Sequence, residues 1–339
     1  MRYEKTIMKE PESKKDSRPE WIKVISNYNF PDTAISWWQI INSLGPYILL
    51  WIAMYYSLRV SYLLTLALAV PAAGFMVRIF IIFHDCGHGS FFRSKRLNTI
   101  VGTITGLITF TPYRMWTYEH KVHHETVGNL DKRGIGDVMT LTVEEYLNLP
   151  WWKKAGYRLY RNPVFLFLIA PPLIFIFLHR VTKPYMTLKE KLLQHLSNLG
   201  LAAFVTGLIL LLGWKTYLLI QLPILYIGTV QGVWLFYIQH QYRDVKWAKS
   251  EHWDYKSIAL TGSSMFKLPG LLNWFTGNIG FHHIHHLSPM IPNYKLKKCH
   301  YDNPMFSDIK PITFFTAFHS LKLRLWDEKR QVLVGFREI

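Results

Sequence analysis

The chain contains little cysteine and little negative charge. Only two of its 339 residues are cysteine, Cys86 and Cys299, too few for the disulfide framework of a small secreted protein. Its 22 acidic residues stand against 39 lysines and arginines, which gives a formal net charge of +17. Nucleic-acid binding would explain this charge, but the cytoplasmic lysines and arginines of a membrane protein explain it more simply. We therefore expect no nucleic-acid partner.

The sequence also lacks the motifs by which a redox protein carries its own electron supply. It has no haem-binding HPGG motif, no GxGxxG motif leading into a helix and no CxxC cluster. A cleavable signal peptide is not visible either. If the chain performs redox chemistry, its electrons must come from a separate partner.

Long apolar runs are abundant, and half of all residues are hydrophobic. Since a helix rises ~1.5 Å per residue, about 20 residues cross the ~30 Å apolar core of a bilayer. Four segments approach that length, and the very short links after the first and the third predict two helical hairpins. We therefore expect an all-α integral membrane protein with spans at about Gln39–Leu58, Tyr62–Phe83, Ser197–Gly213 and Tyr217–Gln239.

Eight histidines form three clusters with helical spacing. Residues three and four positions apart share one face of a helix, so each cluster can present its imidazoles together. Neutral imidazole is a good ligand for iron, zinc and copper. One ion takes about four to six ligands, so eight histidines indicate two ions, and imidazole ligation favours redox-active iron over Mg²⁺ or Ca²⁺. The clusters are HDCGH (His84, His88), HKVHH (His120, His123, His124) and HHIHH (His282, His285, His286).

Other histidines and acidic residues lie near the clusters or far from them in the sequence, and their expected roles differ accordingly. A ninth ligand is expected at His240, because the fourth span ends there as the second ends at His84; an interfacial histidine is the alternative. His283 points away from the face of its cluster, which predicts a place behind the ligands or at the surface. The unclustered histidines are expected in solvent: His179, His195, His252, His300 and His319. Metal-bound imidazoles usually donate their second N–H to a carboxylate or carbonyl, and the nearby candidates are Asp85, Glu119, Glu125, Asp131, Asp137 and Asn278.

Asp85 occupies the second position of the first cluster. Zinc proteases with an HExxH helix need glutamate there as general base, so that class does not fit. Arg78 lies seven residues earlier within the second span, close to two helical turns away. An ion pair between Arg78 and Asp85 is one expectation, and snorkelling of the arginine to the interface is the other.

The number of crossings follows from the clusters. If all clusters serve one centre, an even number of crossings must separate them, so we interpret Thr99–Thr111 and Asn162–Leu178 as interfacial or re-entrant; a six-span arrangement is the alternative. In the four-span arrangement the outer loops hold only Arg59 and Lys215, which places the clusters and both termini in the cytoplasm. We expect a cytoplasmic segment at 1–36, a membrane domain with a cytoplasmic helical cap at 37–300 and a cytoplasmic segment at 301–339.

The pattern of spans and clusters resembles the membrane fatty-acyl desaturases over residues 37–300, and within them more closely the acyl-lipid delta-5 desaturases of Bacillus. The resembling stretches include RIFIIFHDCGHGSFF, NLDKRGIGD, YRLYRNP, GVWLFYIQHQ and TGNIGFHHIHHLSPMIPNYKL. The resemblance implies two irons, O₂ and two electrons that remove two hydrogens from a saturated acyl chain, with no catalytic side chain beyond the metal centre. The implied ligands are the eight clustered histidines, and His240 matches an extra histidine of related desaturases.

The resemblance further implies membrane phospholipid acyl chains as substrate, a plasma-membrane location and a soluble electron donor such as ferredoxin or flavodoxin. A small acidic carrier would suit a basic cytoplasmic face. Hydroxylases and ketolases share similar clusters, so they are the nearest alternative. A metal transporter is a more distant one, because transporters place their ligands near the bilayer midplane, whereas these clusters follow the ends of the spans.

Overall fold

The structure, a computed structural model, describes residues 18–339 and is built mainly of α-helices; the first seventeen residues of the expected N-terminal segment lie outside the described residues. The helices are α1 (Glu20–Ser26), α2 (Thr33–Ser57), α3 (Tyr62–His88), α4 (Lys95–Ile108), α5 (Tyr113–Thr126), α6 (Val143–Asn148), α7 (Trp151–Tyr160), α8 (Ala170–Ile176), α9 (Leu188–Leu212), α10 (Trp214–His240), α11 (Tyr255–Thr261), α12 (Gly270–Phe275), α13 (His282–Leu287), α14 (Asn293–Asp302) and α15 (Phe314–Ala317).

The first predicted hairpin is formed by α2 and α3. Asp32 caps α2 by accepting hydrogen bonds from the backbone N–H groups of Ala34 and Ile35. A buried hydrogen bond of 2.7 Å between the hydroxyls of Ser57 and Thr65 stabilises the turn. α3 ends at Gly89, whose φ of 74° terminates the helix directly after the first histidine cluster.

The second predicted hairpin is formed by α9 and α10, which are joined by Gly213 alone. α9 begins nine residues before the predicted span, at Leu188, because Thr187 and Glu190 form a capping box there. Gly213 has a φ of 83°, a conformation that glycine adopts without strain. α10 then runs without interruption to His240.

Within residues 18–339, three helices are long and apolar enough to cross a membrane: Tyr62–His88, Leu188–Leu212 and Trp214–His240. A fourth span would result if Trp151–Tyr160 and Phe165–Arg180, which meet at a bend of 54°, crossed as one broken element; a re-entrant loop has the same geometry. The first predicted span lies in α2. This helix is as long as α9, but the polar residues Gln39, Asn42 and Ser43 make its sequence less apolar. The fold is that of a helical membrane protein, and the exact number of crossings stays a prediction.

Among the described residues, five very short strands accompany the helices, and none of them was predicted. β1 (Leu141–Thr142), β4 (Leu325–Asp327) and β5 (Val332–Val334) form one sheet, in which β1 and β4 are parallel. β2 (Met265–Lys267) and β3 (Pro311–Thr313) form a second, parallel pair. The C-terminal segment therefore pairs with the loops that follow α5 and α11.

The fully buried Arg161 ties these parts together. Its guanidinium donates hydrogen bonds to the carbonyl oxygens of Met139 and Leu323, at 2.9 and 3.2 Å, and to the side chain of Gln241 at 2.7 Å. One side chain thus connects the loop after α5, the end of α10 and the C-terminal segment.

Candidate metal centre

Four helices deliver histidines to one place. α3 supplies His84 and His88 from its last turns, α5 supplies the second cluster, α10 supplies His240 from its last residue, and α13 supplies the third cluster. The structure therefore brings the predicted histidines together, His240 among them, while their role as metal ligands stays a prediction.

Eight of these nine histidine side chains form two groups of four. The first group is His84, His88, His120 and His285, and the second is His123, His240, His282 and His286. Within each group the ligand nitrogens all lie within 4.8 Å of one another. His124 stands between the groups: its Nε2 atom lies 2.9 Å from that of His285 and 3.2 Å from that of His120, and its ring stacks on that of His286.

The Nε2 atoms face one another rather than other partners. Those of His84 and His120 are 3.0 Å apart, and those of His240 and His282 are also 3.0 Å apart. A neutral imidazole has only one N–H, so a ring that donates from Nδ1 presents a bare lone pair at Nε2. Several lone pairs directed at one small volume repel each other unless a cation lies between them.

Three of the rings have their Nδ1 atom fixed by an acceptor. Nδ1 of His84 lies 3.0 Å from Oδ1 of Asp85, and Nδ1 of His240 lies 3.2 Å from the carbonyl oxygen of Gly262. Nδ1 of His123 lies 2.5 Å from Oδ1 of Asp137. These acceptors hold the rings in the tautomer that leaves Nε2 free for a metal.

The loop that carries Asp137 can approach α5 only because of a glycine. Gly136 has a φ of 74°, and a Cβ atom at this position would lie 2.9 Å from the carbonyl oxygen of Glu119 and 3.0 Å from Cβ of His123. Glycine therefore allows the backbone to come close enough for the neighbouring aspartate to reach His123.

Asp85 links the centre to α14. Its Oδ2 atom accepts hydrogen bonds from the backbone N–H of Asn293, at 2.7 Å, and from the Nδ2 atom of the same residue, at 2.9 Å. The predicted ion pair of Arg78 with Asp85 is wrong, because Asp85 is already occupied by His84 and Asn293. The guanidinium of Arg78 instead donates to the carbonyl oxygen of Trp274 and to Oδ1 of Asn42.

The donor set fits transition-metal ions. The Nε2 atom of His88 is buried and has no hydrogen-bond partner among the described residues, as expected of an atom that binds a metal ion. Neither group of four contains a carboxylate, which disfavours Mg²⁺ and Ca²⁺. The two groups, with His124 between them, could hold two metal ions close together.

The other predicted positions have mixed outcomes. His195, His252 and His319 are exposed as expected. The expectation of solvent exposure is wrong for His300, which is buried with its Nδ1 atom 3.1 Å from Nε2 of His283, and for His179, which is half-buried. Burial, together with the neighbouring His300, lowers the pKa of His283 to about 3.

The remaining carboxylates and amide do not contact the ligands' ring nitrogens. Glu119 accepts a hydrogen bond from the hydroxyl of Tyr185, and Glu125 pairs with Lys121 at the surface. Asp131 accepts from the backbone of Ser250, and Asn278 donates to the backbone of Asn293. Of the six candidates, Asp85 and Asp137 therefore lie directly behind the histidines.

An apolar cavity of about 330 Å³ adjoins the centre. It touches His84, His120 and His282 at one end and is otherwise lined mainly by apolar residues of α3 and α10, among them Val77, Phe80, Gly228, Gly232 and Phe236. Val77 precedes His84 by seven residues and Gly232 precedes His240 by eight, so the cavity extends ~10 Å or more along the helices away from the histidines.

The comparisons with known proteins agree with this geometry. The fatty acid desaturase family model matches residues 59–311. A fatty acid desaturase of Bacillus subtilis is 47% identical over 317 residues, which cover 94% of this chain and 90% of that protein. An sn-1 acyl-lipid omega-3 desaturase (ferredoxin) of Synechocystis is 30% identical over 234 residues, covering 65% of this chain and 62% of that protein. An sn-1 acyl-lipid omega-3 desaturase (ferredoxin) of Nostoc is 28% identical over 263 residues, covering 73% of this chain and 67% of that protein.

Proposed function

Because the chain belongs to the fatty acid desaturase family, we propose that it introduces a cis double bond at the delta-5 position of saturated acyl chains in membrane phospholipids. The observation that carries the proposal is the apolar cavity that ends at three of the converging histidines. The position of the bond rests on the resemblance of the motifs around the histidine clusters.

We propose iron as the metal and the nine histidines as its ligands. Two iron ions would supply the oxidising power that removes hydrogen from an unactivated methylene group, with O₂ as co-substrate. Overall, two hydrogens leave the acyl chain and join two electrons and two protons in reducing O₂ to two water molecules. The division of the histidines into two groups of four supports two ions. His124 lies between the groups, so it could be a ligand of either ion.

The protein's own residues position the substrate and exclude water. A saturated chain has no polar handle near the reacting carbons, so the shape of the cavity must select the methylene that reaches the histidines. The indole ring of Trp116 stacks on His120 with ring centroids 4.3 Å apart, and Phe236 packs against His123 and His240. These aromatic walls would keep the reacting region dry.

The electrons would come from a soluble carrier such as ferredoxin or flavodoxin. The proteins of Synechocystis and Nostoc named above carry ferredoxin in their descriptions, and the excess of lysine and arginine in this chain would attract an acidic carrier. We further propose that the chain is a multi-pass protein of the plasma membrane, and that its clustered histidines and both termini lie in the cytoplasm.

Expression in a host that lacks unsaturated fatty acids tests the proposal. Gas chromatography with mass spectrometry should find a new alkene at carbon 5 in phospholipid acyl chains. A bond at another carbon would overturn the delta-5 assignment alone. A hydroxylated or keto product without an alkene would favour the hydroxylase or ketolase alternative.

A further inference from the structure

Arg78 is a buried cation that has no counter-anion among residues 18–339. Only 7% of the residue is exposed, although it lies within an apolar helix. Its guanidinium contacts two neutral acceptors, the carbonyl oxygen of Trp274 and Oδ1 of Asn42, and lies over the Trp274 ring at 4.0 Å. Its Nε atom is buried with no partner, and within the described residues it pairs with no carboxylate. An unpaired buried charge is costly and commonly marks a functional site.

The arginine lines a pocket of about 350 Å³ formed by α2, α3, α12 and α14. The walls carry several groups that can donate hydrogen bonds, including the amide of Asn42, the indoles of Trp38 and Trp274 and the exposed ammonium of Lys297. None of the residues that line the pocket is acidic. Two cations and several neutral donors suit an anion with several acceptor oxygens, such as a phosphate group.

The surroundings of the pocket suit a lipid rather than a free ion. Trp38 in the pocket wall is 63% exposed, and Leu271 and Ile41, which neighbour wall residues in the chain, are 68% and 59% exposed. Exposed tryptophan and aliphatic side chains of this kind face the boundary between headgroups and acyl chains in membrane proteins. A ligand there can place a charged group in the pocket and its apolar part against the rim.

The pocket is separate from the apolar cavity at the histidines. No residue lines both. On α3 the cavity is lined by Val77, Ile81 and His84, which share one face, whereas Arg78 follows Val77 by ~100° around the helix. Asp85 and Asn293 form a hydrogen-bonded partition between the histidines and the pocket wall.

We propose that this pocket binds the phosphodiester group of an anionic phospholipid, held by Arg78 and Lys297, as a lipid site distinct from the acyl cavity. The lipid would stabilise the packing of α2, α12 and α14 around α3. It would do so whether or not the chain at the histidines is being oxidised.

Binding to the purified, delipidated full chain tests the proposal by native mass spectrometry in detergent. The probes are phosphatidylglycerol, phosphatidylcholine, diacylglycerol and inorganic phosphate. We expect phosphatidylglycerol to bind at least tenfold more tightly than diacylglycerol, which has no phosphate, with phosphatidylcholine between them. Equal binding of phosphatidylglycerol and diacylglycerol would overturn the site. Inorganic phosphate that binds as tightly as phosphatidylglycerol would overturn the lipid assignment.

Variants locate the site. Arg78→Met should lower the affinity for phosphatidylglycerol about tenfold, and Arg78→Lys should retain most of it, because the charge is kept. Arg96→Met, at an exposed arginine outside the pocket, is the control and should bind as the wild type. If Arg78→Met does not fold, Lys297→Gln at the exposed edge decides, with an expected loss of several-fold. Unchanged binding in the folded variants would contradict the proposal, and iron content is the separate readout for the proposed function.

Discussion

The Nδ1 atom of His123 lies 2.5 Å from Oδ1 of Asp137, fourteen residues later, in an almost fully buried contact. The second carboxylate oxygen of Asp137 has no partner within the described residues, so the carboxylate acts on this one ring. It fixes the tautomer and makes the opposite nitrogen more electron-rich, which strengthens a metal bond. The sequence motif GIGD thus serves the centre although it contains no ligand.

Asp137→Asn should weaken iron binding. The neutral amide is a poorer acceptor for the Nδ1 hydrogen, and loss of such a partner typically costs ten- to a hundredfold in metal affinity. Competition with a chelator, followed by metal analysis of the protein, measures the change. Glu125→Gln is the control, because this exposed glutamate of the same region pairs with Lys121 at the surface. Equal affinity of both variants would show that the contact does not tune the metal.

His240→Ala should lower the iron content. The ring belongs to the second group of four, where its Nε2 atom lies 3.0 Å from that of His282 and 3.2 Å from that of His123. Removal leaves three imidazoles in that group, so we expect selective loss of one of two irons. Inductively coupled plasma mass spectrometry of the purified chain gives the ratio. His195→Ala, at an exposed histidine of α9, should keep the full content; a full content in His240→Ala would remove His240 from the ligand set.

The histidines were predictable because ligands on a short helix must recur at three and four residues, and a run such as HHIHH contains that information locally. The burial of His300 was not, because it depends on α14 bringing that residue beside His283. The same limit explains Arg78: helical spacing allowed contact with Asp85, but Asn293, more than two hundred residues away in sequence, takes the carboxylate.

The strands and the cavity lie beyond sequence reasoning for a different reason. A strand of two or three residues is too short to show an alternating pattern. A cavity depends on where side chains are missing, and its trace in the sequence is limited to glycines such as Gly228 and Gly232. A glycine in a helix can equally reflect close packing, and only the structure separates these: a Cβ at Gly228 would meet Met76 at 3.2 Å, whereas one at Gly232 would meet nothing within 4 Å.

Arg161→Met should destabilise the fold without changing the metal centre. The substitution removes the charged donor from the buried acceptors of Met139, Gln241 and Leu323. Each acceptor keeps a second donor, but a hydrogen bond to a charged group contributes ~1.5–3 kcal/mol. We expect a total loss of about 3 kcal/mol or more, seen as a lower midpoint of thermal unfolding in detergent. Arg158→Met is the matched control, since Arg158 is exposed and bonds to the Tyr146 hydroxyl. Equal midpoints would mean that the Arg161 network contributes little.

Gly232→Leu should shorten the acyl chains that the protein accepts. A leucine side chain would enter the cavity at a depth about eight residues, or ~12 Å, from His240 along α10. Leucine favours a helix over glycine by ~1 kcal/mol, so a lost activity would not be explained by a weaker helix. Gly207→Leu in α9 makes the same exchange at an exposed helical position that also has nothing within 4 Å. Chain-length analysis of the unsaturated products should show a shift of about tenfold towards shorter chains in Gly232→Leu and none in Gly207→Leu. Identical product profiles in both variants and the wild type would mean that the acyl chain does not occupy this cavity.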